Sequence, residues 1–72
     1  MENELSYAAS GDWEKKLEQT QKEINALKSS VPLANAWGWY TEGGKIVFYI
    51  TDECTDDGLK KSILTKIKAA FG

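Results

Sequence analysis

The side chains best suited to metal binding or catalysis lie in a short loop, residues 52–57, where four carboxylates flank the only cysteine, Cys54. Carboxylate oxygens are the ligands that Ca²⁺ and Mg²⁺ prefer. The loop lacks the spacing of an EF-hand and the glycine that such a loop needs at its sharp turn. Acidic side chains are also favoured in the first turn of a helix by the helix dipole. We therefore predict a solvated loop that caps a helix, not a cation site.

Cys54 is a candidate nucleophile, because the positive end of a following helix favours a thiolate. The neighbouring carboxylates oppose that thiolate, and the sequence contains no histidine to act as its base. Without histidine the chain also lacks the most common general base near neutral pH and most zinc-ligand sets. We expect a structural or incidental thiol, no cofactor or metal, and a protein that is not an enzyme.

Aromatic residues are concentrated in the middle of the chain. Five of the eight lie between Trp37 and Tyr49. Residues 36–50 predict a β-hairpin, because two apolar, β-prone segments flank Gly43 and Gly44, which suit a two-residue type I′ turn.

The turn fixes a pairing register for the hairpin. With the two glycines as the loop, Glu42 lies opposite Lys45 and Trp39 lies opposite Phe48. Side chains alternate between the faces of a strand. The larger and more apolar face, which we assign to the core, holds Trp37, Trp39, Phe48, Ile50 and Ile46. The predicted outer face holds Ala36, Tyr40, Val47 and Tyr49, with Gly38 between them. A slip of one residue would exchange the two faces.

The outer face of the hairpin is the strongest candidate for a functional surface. Tyrosine and tryptophan are enriched at the centres of protein interfaces. We predict that Tyr40, Val47 and Tyr49 supply the contact with a larger protein, and that Trp37 and Trp39 hold the sheet on its helices. The alternative is an ordinary exposed pair of tyrosines, because single surface aromatics are common.

Single-stranded nucleic acid is the alternative partner, because aromatic side chains on a sheet also stack bases. All nine basic residues are lysine, and the net charge is −2. Without arginine the chain lacks the planar fork that reads phosphates and guanine. Nucleic-acid binding is therefore less expected than protein binding. Its basic residues would be Lys45, Lys60, Lys61 and Lys68.

Two helices are predicted around the hairpin. The first begins after Asp12 as N-cap and ends near residues 29–30, because Pro32 disfavours helical geometry just before it. Its apolar stripe consists of Trp13, Leu17, Thr20, Ile24, Leu27 and Val31. Such a stripe most often faces its own core, although the same spacing also suits a helix-mediated dimer. The second helix is predicted to begin with Thr55 as N-cap. Its stripe consists of Leu59, Ile63, Ile67 and Phe71.

The chain is long enough for one domain of marginal stability, at 72 residues. We predict a flexible N-terminal lead-in over residues 1–11, where Leu5 and Tyr7 are the main large apolar groups, and a single αββα domain over residues 12–72. The predicted fold class is α+β, a helix–β-hairpin–helix with two helices packed on one face of a two-stranded antiparallel sheet. Both edges of such a sheet are free to pair with another strand.

The order of helix, hairpin and helix is similar to that of the phage head–tail joining protein W family, and residues 55–61 resemble the start of that family's second helix. The aromatic crowding at residues 37–40 departs from the family pattern. The resemblance implies a phage structural protein of the head–tail joining type as an alternative function. It assigns no role to any residue of this chain.

The main prediction is a small non-enzymatic protein-interaction module that docks its aromatic hairpin, by face or by edge, onto a larger protein. An inhibitor or adaptor, such as a phage or mobile-element accessory protein, fits this size. A domain with a small core usually needs an additional source of stability, so we expect self-association as a homodimer. No apolar run approaches the ~20 residues of a membrane span. The acidic residues 1–4 are not typical of a signal peptide. We expect a cytoplasmic protein with no membrane partner.

Overall fold

The computed structural model describes residues 4–72 and is a small α+β domain. Its elements are β1 (Glu4–Ala8), α1 (Trp13–Asn25), α2 (Leu33–Ala36), β2 (Trp37–Glu42), β3 (Lys45–Ile50) and α3 (Asp57–Phe71). The three strands form an antiparallel sheet in the order β1–β3–β2. Helices α1 and α3 pack on one face of this sheet. They run in opposite directions, since Asp12 at the start of α1 lines a cleft with Ala70 near the end of α3, and Leu27 after α1 lines another with Gly58 near the start of α3. An ion pair of 3.6 Å joins Glu23 of α1 to Lys66 of α3.

The N-terminal segment forms a strand where the sequence predicts a flexible lead-in. Residues 1–3 of that segment lie outside the described part of the chain. In β1 the side chains of Leu5 and Tyr7 point to the helices, and the polar residues between them point away. Leu5 lies opposite Phe48 on β3, and the ring of Tyr7 stacks on that of Phe71 at 5.9 Å. The sheet therefore has three strands, not two, and β3 is its central strand.

The predicted hairpin register is confirmed. Trp39 lies opposite Phe48 and Glu42 lies opposite Lys45. The turn glycines both have positive φ angles, 56° at Gly43 and 77° at Gly44, which is the backbone conformation that a type I′ turn requires. The composition of this turn is sufficient to set which side chains of β2 and β3 share a face.

A short helix precedes the hairpin and was not predicted. Pro32 occupies the N-cap position of α2, where its fixed φ angle is tolerated. Ala36 is the last residue of α2 and is fully buried, so its assignment to the outer strand face is wrong. The N–H of Thr51 donates to the carbonyl of Ala36 at 3.0 Å, and the Thr51 hydroxyl donates to the carbonyl of Asn35. These bonds join α2 to the end of β3.

Helix α1 ends at Asn25, several residues before the predicted end. Serine side chains compete with helical hydrogen bonding by bonding to nearby backbone groups, and the Ser29 hydroxyl accepts a bond from the N–H of Val31 at 3.1 Å. Leu27 and Val31 still pack against the core from this irregular segment. Asp12 is the N-cap residue as predicted, but its side chain makes no capping hydrogen bond.

The apolar stripes of both long helices are buried in the domain's own core. On α1 the buried residues are Leu17, Thr20 and Ile24, and on α3 they are Leu59, Ile63 and Ile67. The Thr20 hydroxyl is satisfied there by the carbonyl of Lys16 at 2.7 Å. Because this stripe packs inside the domain, it is not free to form the helix-mediated dimer considered from the sequence.

Helix α3 is capped by Asp56, not by Thr55 as predicted. An Asp56 carboxylate oxygen accepts hydrogen bonds from the N–H groups of Gly58 at 2.9 Å and Leu59 at 3.2 Å. A carboxylate is a better acceptor for these free amides than a hydroxyl, because it also interacts favourably with the helix dipole. The cap therefore lies one residue later than the sequence pattern suggested.

Candidate interaction surface on the sheet

The sheet has one face covered by helices and one face that no described helix covers. We call the second the open face. Its members, in three rows across the strands, are Glu4, Tyr49 and Gly38; Ser6, Val47 and Tyr40; and Ala8, Lys45 and Glu42. Alternation along each strand places these side chains together. The β1 members were missed from the sequence, although residues 4–8 alternate between polar and apolar character.

The three predicted contact residues, Tyr40, Val47 and Tyr49, all lie on the open face. The two tyrosine rings are neighbours, with centroids 6.2 Å apart and planes inclined at 42°. Tyr40 is 42% exposed and Tyr49 is 36% exposed, whereas Val47 is only 8% exposed. Val47 lies on the central strand between Tyr40 and Ser6, so neighbouring side chains hide it. The tyrosines are therefore the accessible part of the patch.

Gly38 allows the ring of Tyr49 to lie directly over the backbone of β2. A Cβ atom built on Gly38 would overlap the hydroxyl and the adjoining ring carbon of Tyr49, and it would lie 2.9 Å from another ring carbon. An aromatic ring that covers a glycine on the neighbouring strand is a known way to protect the exposed backbone of a sheet. The ring of Tyr49 therefore extends the aromatic surface from β3 across β2.

The two predicted anchoring tryptophans have different environments. Trp37 is buried, stacks on Phe48 at 6.5 Å and donates from its indole N–H to the Asn25 side-chain oxygen at 3.4 Å. Trp39 also points to the helix side of the sheet but is 36% exposed. Its assignment to the core is wrong, because β2 is an edge strand and the apolar core cluster does not extend to this position.

A shallow groove of about 350 Å³ follows the outer edge of β2. It is lined by Gln21, Asn25, Ala34, Trp37, Gly38, Trp39 and Tyr49. The lining includes side chains from both faces of the sheet, so the groove wraps around the strand edge.

The free edge of β2 also offers backbone hydrogen bonds. The Thr51 N–H donates to the Ala36 carbonyl, so these two residues occupy a hydrogen-bonded position in the β2–β3 pairing. In an antiparallel pair the hydrogen-bonded positions alternate, so Trp39 and Thr41 direct their backbone groups to the free edge.

The exposed apolar surface of the described chain is concentrated on the hairpin. Its three exposed large hydrophobic residues are Trp39, Tyr40 and Tyr49. The open face adds little charge to this surface, since it carries two glutamates and one lysine, for a net charge of −1. Glu4 and Glu42 lie at two corners and Lys45 lies at the turn end, so the middle row of Ser6, Val47 and Tyr40 carries no charge.

The lysines of the nucleic-acid alternative do not surround the aromatic patch. Lys45 lies at the turn end of the open face, opposite Glu42. Lys60, Lys61 and Lys68 lie on α3, in the helical layer on the other side of the sheet. A single-stranded nucleic acid stacked on the tyrosines would therefore meet one of these four lysines.

Cys54 and Asp56 connect the acidic loop to the core and to α3. Cys54 is buried in the apolar core, and its sulfur lies 3.9 Å from the carbonyl oxygen of Asp56. Asp56 in turn caps α3. Among residues 4–72, no cluster of three or more acidic or cysteine side chains is arranged to hold a metal ion.

The helices of residues 4–72 include none with the length and apolar character needed to cross a bilayer.

Comparisons with protein-family models, curated proteins and solved structures found no match to this chain. The resemblance to head–tail joining proteins depended on an order of helix, hairpin and helix, whereas the observed order begins with strand β1. A phage role therefore stays a prediction from the sequence.

Proposed function

We propose that this protein is a small non-enzymatic interaction module that docks its open face and the adjoining β2 edge onto a larger protein, as an inhibitor or adaptor. One observation carries the proposal. The exposed large hydrophobic residues of the described chain, Trp39, Tyr40 and Tyr49, all lie on one hairpin around one free strand edge.

The chemistry of this patch suits a protein surface. Tyrosine and tryptophan bury a large rigid area and keep a polar group for a hydrogen bond, which explains their frequency among interface hot spots. The two tyrosine rings are already packed, one against the other and one over Gly38. Little side-chain entropy is then lost when a partner covers them. Few charges need to be desolvated at the centre of the patch.

The free edge of β2 adds directional hydrogen bonds to this contact. A partner strand placed beside β2 would pair with the backbone groups of Trp39 and Thr41 and meet the ring of Trp39 on one side and Tyr40 on the other. The edge supplies affinity through the main chain, and the aromatic side chains supply specificity. A second copy of this chain could use the same edge, which is the form that homodimerisation would take.

The test is recovery of a partner from the native host with purified bait protein. A Tyr40→Ser/Tyr49→Ser variant should lose the partner that the unchanged protein retains, because it loses the exposed aromatic area but none of the helix-side core. The matched control is Glu18→Ala/Lys22→Ala, which removes an exposed ion pair on α1. Equal recovery by the tyrosine variant, or no specific partner for the unchanged protein, would contradict the proposal.

Self-association is tested separately by sedimentation equilibrium over a wide range of protein concentrations. We expect a reversible dimer that the Tyr40→Ser/Tyr49→Ser variant weakens, because the same apolar patch would be buried between copies. A monomer at every concentration removes the dimer from the proposal and leaves docking onto a different protein intact.

Nucleic-acid binding remains the second candidate, because Tyr40 and Tyr49 form an exposed aromatic pair. The distribution of charge opposes it, since the α3 lysines lie on the other side of the sheet. Titration of the tryptophan fluorescence with oligothymidine at low salt distinguishes the two functions. We expect no saturable quenching, and quenching with a strong salt dependence would favour nucleic acid.

A further inference from the structure

The opposite edge of the sheet, formed by β1, is also free. In the described sheet β1 pairs with β3 alone. The N–H of Ala9 donates to the carbonyl of Gly44 at 2.9 Å, which places odd-numbered residues of β1 in hydrogen-bonded positions against β3. The backbone groups of Glu4, Ser6 and Ala8 therefore point away from the sheet. This edge offers main-chain donors and acceptors to a further strand.

A groove of about 460 Å³ lies between this edge and the outer face of α3. It is lined by Leu5, Asp57, Lys60, Lys61, Leu64, Thr65 and Lys68. Leu5 and Leu64 are partly buried and supply an apolar floor. The rim carries three lysines and one carboxylate, for a net charge of +2. The chain as a whole has a net charge of −2, so the groove is more positive than the protein as a whole.

The rim lysines are not consumed by internal ion pairs with buried groups. The Lys60 ammonium lies 3.8 Å from a carboxylate oxygen of Asp57. The Lys60 side chain is 21% exposed and that of Asp57 is 81% exposed, so water competes for the carboxylate and weakens the pair. Lys66, the remaining lysine of α3, points to the other side of the helix and pairs with Glu23. Three lysines of α3, Lys60, Lys61 and Lys68, therefore border the groove and can contact an incoming anion.

The spacing of the groove matches an extended chain. Lys60, Leu64 and Lys68 are four residues apart and share one face of α3, so the two lysines are separated by about 12 Å along the helix axis. Alternate residues of a strand recur about every 6.6 Å, so the first and fifth are about 13 Å apart. Leu5 borders the groove with Leu64, and Tyr7 stacks on Phe71. Strand β1 and helix α3 thus run in the same direction, and an added strand would follow the lysines.

We propose that the β1 edge and this groove bind an extended acidic segment of another protein, with the pattern acidic–x–apolar–x–acidic. The segment adds to the sheet as a fourth strand beside β1. Its apolar side chain covers Leu5 and Leu64, and its two carboxylates meet Lys60 and Lys68. Lysines beside a free edge also discourage neutral and basic strands from pairing there, so the same charges reject the wrong partners. This site is separate from the open face and does not depend on the function proposed for it.

The test is fluorescence polarisation with a labelled peptide, acetyl-GETVTEG-amide, and its charge-reversed control, acetyl-GKTVTKG-amide. The acidic peptide should bind the unchanged protein and the control should not. Lys60→Glu/Lys68→Glu should weaken binding about tenfold or more, because attraction becomes repulsion at both ends. Lys22→Glu/Lys28→Glu makes the same change in net charge on the exposed surface outside the groove and should leave the affinity within about twofold, since exposed charges at a distance are screened.

A backbone variant tests strand addition itself. Ser6→Pro removes an N–H that faces the free edge, a position where edge strands tolerate proline, and should abolish binding while circular dichroism stays unchanged. If that variant loses its fold, the paired lysine variants still decide the question. Equal binding of both peptides, an equal loss in both lysine variants, or binding of oligothymidine in place of the acidic peptide would overturn the proposal. Tyr40→Ser/Tyr49→Ser should bind the peptide normally, so the proposals for the two surfaces can be refuted separately.

Discussion

The two faces of the sheet differ most clearly at Phe48 and Tyr49, which are neighbours on the same central strand. Phe48 is fully buried on the helix side and contacts the rings of Tyr7, Trp37 and Phe71. Tyr49 is partly exposed on the open side and lies over Gly38. Alternation along one strand has thus sent two large aromatic residues into different roles. The helix side holds the domain together, and the open side is available to a partner.

This contrast explains why a small domain keeps aromatic residues on its surface. Helices α1 and α3 close one face of the sheet with their apolar stripes, so stability is supplied mainly from that side. The tyrosines on the open face protect the backbone of Gly38 and hide Val47 but border no apolar layer. Substitutions on the two faces should therefore separate stability from binding.

The largest effect is expected for Phe48→Ala. Removing a fully buried phenylalanine from a packed core typically costs about 3–5 kcal/mol of unfolding free energy, and a domain of this length has only about 5–10 kcal/mol in total. Urea denaturation followed by circular dichroism should show a much lower midpoint or a chain that is unfolded without urea. A loss below about 1 kcal/mol would contradict the central place of this side chain on the helix face.

Gly38→Ala should cost about 1–3 kcal/mol, the usual range for overpacking, because the new methyl group meets the ring of Tyr49. The effect should reverse in a Tyr49→Ala background, where alanine is preferred to glycine within a strand by about 0.5–1 kcal/mol. Urea denaturation of the four proteins forms a double-mutant cycle. Additive effects of the two substitutions would show that the ring does not cover the glycine.

Tyr7→Ala should lower the unfolding free energy by about 1–2 kcal/mol, because it loses partly buried aromatic area and its contacts with Phe48 and Phe71. Ser6→Ala is the matched substitution on the neighbouring residue, whose side chain lies on the open face, and should change stability by less than about 0.5 kcal/mol. Equal effects of the two substitutions would indicate that β1 does not contribute a face to the core.

The hairpin was predictable because its decisive residues are adjacent in sequence. Gly43 and Gly44 specify the turn, the turn specifies the register, and the register assigns Phe48 and Tyr49 to opposite faces. The periodic stripe of α3 was equally accessible from spacing alone. These features depend on local chemistry, so one sequence contains enough information to place them.

The errors concern tertiary position. Alternation along β2 places Trp39 on the same face as the core residues. It is nevertheless exposed, because β2 is an edge strand and the apolar core does not reach this position. Strand β1 has only Leu5 and Tyr7 as large apolar residues, and its pairing with β3 spans some forty residues of sequence. Local propensity gives little information about such a contact. The groove on α3 was missed for the same reason, since Leu5 and Leu64 meet only after the chain has folded.

The smallest effect on stability is expected for Tyr40→Ala on the open face. Cross-strand aromatic pairs contribute roughly 0.2–1 kcal/mol, and Tyr40 is the most exposed large hydrophobic residue of the described chain. Urea denaturation should therefore show little change, whereas partner affinity should fall about thirtyfold or more if Tyr40 is a hot spot, since 2 kcal/mol corresponds to that factor. Tyr40→Phe keeps the ring and should retain most of both properties. A large loss of stability with unchanged binding would reverse the roles assigned to the two faces, because it would place Tyr40 among the residues that hold the fold together.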